Sequence, residues 1–242
     1  MTEKITGGLT SYGHMAGILM SDSTIPRIPG DPGHAETFPF PVIYEVLEKF
    51  PFQDLVDISK AHIDILITCA KALENRGVRL VAADCGLFGP FQEDLKKHLQ
   101  VPFIGSAVDL VPLLQRHLPR GRKVGILTGD TRIFKPAHLT ASGVAPGSVV
   151  ITGMENSEEF NRVVIQRSRT LNPDKMRQGV LEAADAFIGQ EVEAVVLECT
   201  NLISFRSNLQ ERLRKPVYDL VTLIEFYISG FMNRVFASRF VF

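Results

Sequence analysis

The sequence has no excess of charge of either sign and no long apolar run. Lys and Arg number 26 against 27 Asp and Glu, so the composition indicates neither a nucleic-acid nor an anionic-membrane partner. The richest late apolar stretch, residues 221–232, is interrupted by Glu225 and Gly230 and falls short of the ~18 residues that span a bilayer. The first residues carry no charged-then-apolar signal segment. We therefore expect a soluble, cytoplasmic protein.

Cysteine is scarce, and its spacing does not fit a zinc site. The three cysteines, Cys69, Cys85 and Cys199, cannot all pair within the chain, and there is no C-x-x-C motif. The six histidines form no H-x-x-x-H pair. In the reducing compartment that we expect, the thiols are free. The sequence therefore predicts free cysteines and no protein-bound metal.

Short apolar runs alternate with longer segments of helical period in the first half of the chain. We predict strands at residues 17–20, 78–83 and 101–104, and helices at residues 52–75 and 90–99. This order of strands and helices is typical of a parallel sheet covered by helices. The fold class is therefore predicted to be α/β.

The second half repeats this order. The pattern predicts strands at 123–128, 194–197 and 216–218, and helices at 172–190 and 205–214. The Asn-Pro-Asp sequence at 172–174 is a helix start signal.

Two segments of the first half also match segments of the second half in sequence. GILMSDS at 17–23 resembles GILTGDT at 125–131, and VAADCGL at 81–87 resembles VVLECTN at 195–201. The matches occur in the same order, which indicates two similar lobes related by pseudo-twofold symmetry, with a cleft between them. We expect residues 1–105 plus 208–242 to form the first lobe and residues 106–207 the second.

The segment 25–41 differs from the rest, because it holds five prolines and two glycines directly after the first strand. It is either a surface excursion or a loop that covers a ligand, since α/β sheets bind ligands at the carboxyl ends of their strands. Arg27 in this segment either pairs with a substrate carboxylate or is simply exposed. The tail at 231–242, with four Phe and two Arg, fits a helix end, a subunit contact or a disordered segment.

Cys85 and Cys199 are the candidate catalytic residues. Each ends a buried strand and precedes a turn into a helix, where backbone N–H groups favour a thiolate. Matched positions in facing lobes would bring the two sulfurs into one cleft from opposite sides, as a base and an acid that invert a carbon centre. Cys69 lies on the apolar stripe of a helix and is expected to pack. Asp84 and Glu198 precede the cysteines and should point away from the sulfurs, because adjacent strand residues face opposite sides.

Polar residues at the same sheet edges are candidates for binding the substrate. Two pairs, Asp22-Ser23 and Asp130-Thr131, follow the first strand of each lobe, and Thr200 and Asn201 follow the second cysteine. Thr200 and Asn201 offer donors to a substrate carboxylate. All of these residues are alternatively turn or helix-capping residues.

These motifs resemble those of the aspartate/glutamate racemase superfamily, which includes hydantoin racemases, maleate isomerases and arylmalonate decarboxylases. The resemblance covers nearly the whole chain and implies two α/β lobes, a small carboxylate substrate, no cofactor and a homodimer. It implies that Cys85 and Cys199 are the acid–base pair and that Thr200 holds the substrate carboxylate. The other residues that it places in the cleft are Asp22, Ser23, Gly86, Thr128, Thr131 and Asn201.

The sequence departs from the amino-acid racemases after both cysteines. Gly86 and Leu87 stand where these racemases have Asn-Thr, and Asn201 stands where they have Glu or His. An amide cannot titrate, so the support of the second cysteine differs from theirs. The segment after the first strand is also longer than in typical members.

We interpret the sequence as a cofactor-independent racemase or epimerase of an amino acid or related small carboxylate. One alternative is a maleate-isomerase-like cis–trans isomerase or a decarboxylase of the same superfamily, although two cysteines favour a racemase or isomerase over a decarboxylase. Another alternative is a two-lobed small-ligand-binding protein without catalysis.

Overall fold

Two parallel four-stranded sheets organise the chain. The computed structural model describes residues 6–232, so all but the first two residues of the tail at 231–242 lie outside it. The first sheet has the order β2-β1-β3-β4 and the second β6-β5-β7-β8, and every pairing is parallel. The strands are β1 (Ala16–Ser21), β2 (Val42–Leu47), β3 (Leu80–Ala83), β4 (Phe103–Ile104), β5 (Lys123–Thr128), β6 (Val149–Gly153), β7 (Val192–Leu197) and β8 (Val217–Tyr218). The α/β fold of two lobes with equivalent sheets is thus confirmed.

Helices connect the strands. They are α1 (Phe52–Asp57), α2 (Ile63–Asn75), α3 (Gln92–Lys96), α4 (Leu110–His117), α5 (Pro136–Ala141), α6 (Glu158–Phe160), α7 (Pro173–Ala184), α8 (Arg206–Leu213) and α9 (Leu220–Ser229). Tighter 3-10 turns occupy Gly86–Phe91, Ala107–Asp109, Asp185–Phe187 and Thr200–Phe205, and a π-helical turn occupies Asn161–Ile165. Among the described residues no helix combines the length and apolarity needed to cross a bilayer.

The central strands agree with the sequence patterns, whereas the outer strands β2 and β6 were not predicted. β1, β3 and β7 are almost wholly buried, so they read as continuous apolar runs. β2 is an edge strand, and Tyr44 and Glu45 break its apolar pattern. The predicted helix at 52–75 is two helices, because Ile58 adopts φ 55° and ends α1.

The sheets do not follow the expected lobe boundary at residue 208. β8 pairs with β7, so Val217–Tyr218 lies in the second sheet although residues 208–242 were assigned to the first lobe. The chain returns to the first lobe only with α9, which packs against β3. The rest of the proposed division stays a prediction.

A common hydrophobic core joins the two lobes. Val124, Ile126 and Val196 of the second sheet are buried in one cluster with the core of the first lobe. The opposite face of the second sheet, which includes Leu127 and Leu197, packs into a separate core with α7. The carboxyl ends of both sheets are therefore held in place by continuous packing.

Candidate active site

Each of the two candidate cysteines stands at the start of a 3-10 turn, two residues beyond the end of a central strand. Cys85 caps the turn Gly86–Phe91, and Cys199 caps the turn Thr200–Phe205. Burial raises the pKa of both thiols, and the backbone N–H of Leu87 opposes that rise at Cys85 as the N–H of Asn201 does at Cys199. The internal repeat therefore gives both sulfurs the same local support, an N–H two residues further along the chain.

Both cysteines line one cavity of about 310 Å³ between the lobes. Its first-lobe wall includes residues that follow β1, β2 and β3, and its second-lobe wall includes residues that follow β5 and β7. The cavity is large enough for a small metabolite. The apolar residues that line it are Ile25, Leu47, Phe50, Phe52, Leu55, Leu87, Ile133, Phe160, Val164 and Ile165.

Five of the seven predicted substrate-binding residues line this cavity, namely Asp22, Ser23, Thr128, Thr200 and Asn201. Their roles stay predictions. The Thr200 hydroxyl donates to the backbone carbonyl of Asp84, so the N–H of Thr200, and not its hydroxyl, is left for a substrate carboxylate.

The other two predicted binding residues, Gly86 and Thr131, are not among the residues that line the cavity. Thr131 turns away from it, because its hydroxyl donates to Glu155 Oε1 at 2.6 Å. Gly86 is buried under Glu198, and a Cβ at position 86 would lie 2.5 Å from the backbone carbonyl oxygen of Glu198. These two residues are therefore not part of the cavity lining, and their roles in binding substrate stay predictions.

Burial raises the pKa of both thiols. For each sulfur the next largest cause is the negative charge of Glu198, and the N–H donors oppose these effects. The pKa of Cys85 is also raised by the charge of Cys199, so the two sulfurs interact electrostatically across the cleft. Both residues are therefore neutral thiols at pH 7.

Asp84 and Glu198 also line the cavity, although alternation along a strand predicted that they point away from the sulfurs. The strands β3 and β7 end at Ala83 and Leu197, so the next residue in each case has left the pleat. Asp84 is saturated with donors, because it accepts from Ser21 N–H (3.0 Å), Ser21 Oγ (2.7 Å) and Arg27 Nη2 (2.9 Å). It fits the structural role that the sequence predicted.

Glu198 has fewer partners than Asp84. Its carboxylate accepts hydrogen bonds from Thr128 Oγ1 at 2.6 Å and from the Gly129 N–H. Its Oε1 is buried and has no hydrogen-bond partner within residues 6–232. Burial raises the pKa of Glu198 to about 7.

The proline-rich segment 25–41 supports the second cysteine. The Cys199 thiol donates to Asn201 Oδ1 (3.8 Å), and Asn201 Nδ2 donates to Asp31 Oδ2 (3.0 Å). The other Asp31 oxygen accepts from Arg27 Nη1 at 2.8 Å and from the Gly33 N–H at 2.7 Å. A buried carboxylate of the loop therefore fixes which end of the Asn201 amide faces the sulfur.

The structure places this segment and Arg27 at the cavity. Arg27 is not an exposed residue, because its side chain is 14% exposed and bridges Asp31 and Asp84. Ile25 and Arg27 line the cavity, so the segment covers part of it. Cys69 is half-buried against the first core, as its place on α2 predicted.

Sequence reasoning missed most of the apolar wall. Leu47 ends the unpredicted strand β2, and Phe50, Phe52 and Leu55 follow it into α1. Apolar residues in such a segment predict packing, and no local signal indicates that they face a cavity. Arg167, at φ 58°, is a second cation of the lining that the sequence did not reveal.

The fold and site define a two-lobed α/β protein with a cysteine on each side of an interlobe cavity. The family model "Asp/Glu/Hydantoin racemase" matches residues 51–224, and the chain belongs to this family of enzymes.

The chain is also similar to curated lyases. It is 26% identical over 228 residues to the dimethylsulfoniopropionate lyase of Durusdinium sp. clade D. The match covers 90% of this chain and 75% of that protein. It is 25% identical to dimethylsulfoniopropionate lyase 5 of Emiliania huxleyi, over 88% of this chain but 45% of that protein. The chain thus spans between about half and three quarters of the lengths of these two relatives.

Solved structures agree on the architecture. Glutamate racemase from Bacillus anthracis superposes with a TM-score of 0.61 at 14% identity, over 91% of this chain and 82% of that chain. At this identity the likeness establishes the fold alone.

Proposed function

We propose that the protein is a cofactor-independent lyase that acts on dimethylsulfoniopropionate or a closely similar sulfonium carboxylate. One of the paired cysteines would remove a proton from the carbon next to the carboxylate, and the sulfonium group on the following carbon would leave. The observation that carries the proposal is a cysteine pair in a cavity with a largely apolar wall. The similarity to the two lyases named above supports the choice of substrate.

The charge of the cavity favours a cationic group on the substrate. Asp22, Asp84, Asp130 and Glu198 line it together with two arginines, and Arg27 is already neutralised by Asp31 and Asp84. A substrate cation would offset the negative charge that raises the pKa of the thiols. Binding of the substrate would therefore favour the thiolate that the reaction needs.

The apolar wall favours a sulfonium over an ammonium group. An ammonium donates hydrogen bonds and loses them against hydrocarbon, whereas a dimethylsulfonium has no N–H to satisfy. Its methyl groups and diffuse charge fit the aromatic rings of Phe50, Phe52 and Phe160, which attract cations to their faces. The carboxylate of the substrate would then lie toward the N–H groups at the starts of the two 3-10 turns.

The reaction balances without a cofactor. A thiolate takes the proton from the carbon next to the carboxylate, and the electron pair of that C–H bond forms a carbon–carbon double bond. The bond between the next carbon and sulfur breaks, and its electron pair leaves with the sulfur as neutral dimethyl sulfide. Acrylate remains, the cysteine is a thiol again, and one proton passes to solvent per turnover.

The test is release of dimethyl sulfide by the purified chain from dimethylsulfoniopropionate, measured by gas chromatography, with acrylate followed by NMR. We expect both products in equal amounts. Cys85→Ala and Cys199→Ala should each lower turnover at least about 100-fold, as expected for the loss of a general acid–base group. Cys69→Ala is the matched control and should retain turnover. Absence of dimethyl sulfide from the unmodified protein would refute the proposal.

Racemisation or epimerisation of a small carboxylate is the second candidate. The equivalent positions of Cys85 and Cys199 favour it, because inversion needs a base on one face and an acid on the other. Loss of the α-proton NMR signal of enantiopure amino acids, hydantoins or hydroxy acids in deuterium oxide, without elimination, would identify this activity. The cis–trans isomerase, decarboxylase and ligand-binding alternatives, and the homodimer, stay predictions.

A further inference from the structure

We propose that Glu198 is the proton acceptor that converts the cysteine pair to its reactive form. It would take a thiol proton to its free Oε1 when substrate binds, and pass it to solvent after the products form. This inference rests on the proposed acid–base role of the cysteines but not on the identity of the substrate.

The position of Glu198 is the first reason. The residue precedes Cys199 in the chain, and its carboxylate reaches the turn that holds Cys85, where its Cδ would lie 2.9 Å from a Cβ at position 86. Gly86 leaves the space that this side chain occupies. Glu198 therefore touches the turns of both cysteines.

The unused hydrogen-bonding capacity of Glu198 is the second reason. The residue is 2% exposed, yet its Oε1 accepts no hydrogen bond from the described part of the chain. A buried carboxylate oxygen without a donor is costly, so its presence in a cavity calls for an explanation. A proton or a hydrogen bond from a thiol would satisfy it.

The other charged groups of the cavity are the third reason, because each is already paired or exposed. Asp84 is bound by Arg27, and Asp130 is held by Arg132 with Nε–Oδ1 at 2.8 Å. Asp22 and Arg167 are exposed to solvent. Besides the thiols Cys85 and Cys199, Glu198 is thus the buried titratable group of the lining that lacks a charged partner.

The proton transfer is chemically consistent. The S–H bond of a cysteine breaks and an O–H bond forms on Glu198 Oε1, which leaves a thiolate beside a neutral acid. The negative charge that opposed the thiolate is removed in the same step. After the thiolate has taken the substrate proton, Glu198 loses its own proton to solvent and the site returns to its initial state.

The pH dependence has a definite direction. Glu198 must be ionised to accept a proton, so turnover should rise as the pH increases through about 7. In Glu198→Gln this rise should disappear, and turnover should be at least about 100-fold lower, because a general base is lost. Glu198→Asp keeps the carboxylate at a shorter reach and should recover part of the activity together with the rise.

A second readout does not need the substrate. Alkylation of Cys85 and Cys199 by iodoacetamide, followed peptide by peptide with mass spectrometry between pH 6 and 10, reports the ionisation of each thiol. Since the charge of Glu198 raises the pKa of both thiols, Glu198→Gln should shift both alkylation curves to lower pH. Glu155→Gln removes a carboxylate outside the cavity and should change neither readout.

The two readouts separate the possible failures. If the unmodified protein does not cleave dimethylsulfoniopropionate but Glu198→Gln shifts the alkylation curves, the substrate proposal fails and the coupling of Glu198 to the thiols stands. The role of Glu198 is overturned if both thiols keep their original alkylation curves in a folded Glu198→Gln protein. It is also overturned if turnover by that variant still rises through pH 7. Circular dichroism establishes that each variant is folded.

Discussion

At the scale of single residues, the equivalent acidic residues of the two lobes, Asp84 and Glu198, have different surroundings. Asp84 and Glu198 follow equivalent strands, but Asp84 is surrounded by donors and an arginine, whereas Glu198 keeps a free oxygen. The sequence predicted one structural role for both acids because it could not show their partners. Arg27, from the loop at 25–41, neutralises Asp84. Among the charged residues that line the cavity, no arginine or lysine pairs with Glu198 in the same way.

The isolated carboxylate should affect stability in a pH-dependent way. Its pKa rises from 4.5 to about 7 on folding, so it stabilises the fold below pH 4.5 and loses that contribution as the pH rises through 7. At pH 8 the buried charge should cost about 2–3 kcal/mol.

Glu198→Gln should therefore raise the free energy of unfolding at pH 8 by up to about 2–3 kcal/mol, and change it far less at pH 5. Urea denaturation of both proteins at the two pH values measures this difference. A Glu198→Gln effect that is the same at pH 5 and pH 8 would show that the buried carboxylate does not titrate in this range.

At the scale of secondary-structure elements, the buried central strands and the short edge strands β4 and β8 could be predicted, whereas the edge strands β2 and β6 could not. β3 and β7 contain continuous apolar runs, and the cysteines that follow their carboxyl ends could be placed from that pattern. Tyr44 and Glu45 interrupt the apolar pattern of β2, so the strand was missed, and the cavity wall formed after it was missed with it. Which apolar residues face a cavity rather than the core depends on tertiary packing, which local patterns do not record.

The loop at 25–41 illustrates the same limit of local patterns. Its prolines and glycines predicted an ordered excursion, and the structure adds that its Asp31 reaches across to Asn201 of the other lobe. A loop anchored on both lobes positions the second cysteine rather than only covering the ligand.

Asp31→Asn should therefore impair catalysis, because Asn201 could then turn its amide and present a donor to Cys199. We expect turnover of dimethylsulfoniopropionate to fall by at least about tenfold, since small displacements of a reacting group have effects of up to about 100-fold. The control is Thr37→Val, which removes loop hydrogen bonds to Gly30 and to the Asp31 carbonyl without touching Asn201. Equal turnover in Asp31→Asn and Thr37→Val would contradict a positioning role for Asp31.

At the scale of the whole molecule, the internal repeat explains the site. Two similar lobes present the same strand-end turn, and the shared core through Val124, Ile126 and Val196 holds the turns at either side of one cavity. The repeat was visible in the sequence, so the pairing of Cys85 with Cys199 was a natural expectation. The negative charge that raises the pKa of both thiols was not visible, because it depends on the way Glu198 enters the space left by Gly86.

The central claim, that cysteines from both lobes act on one small molecule, is tested most directly by substrate protection of the thiols. The measurement is the rate of iodoacetamide labelling of each cysteine, by mass spectrometry, with and without saturating dimethylsulfoniopropionate at a temperature that slows turnover. We predict that the substrate slows labelling of both Cys85 and Cys199 and leaves that of Cys69 unchanged. The account would be contradicted if Cys85 or Cys199 is labelled at the same rate with and without dimethylsulfoniopropionate, or any other substrate that the protein is found to turn over.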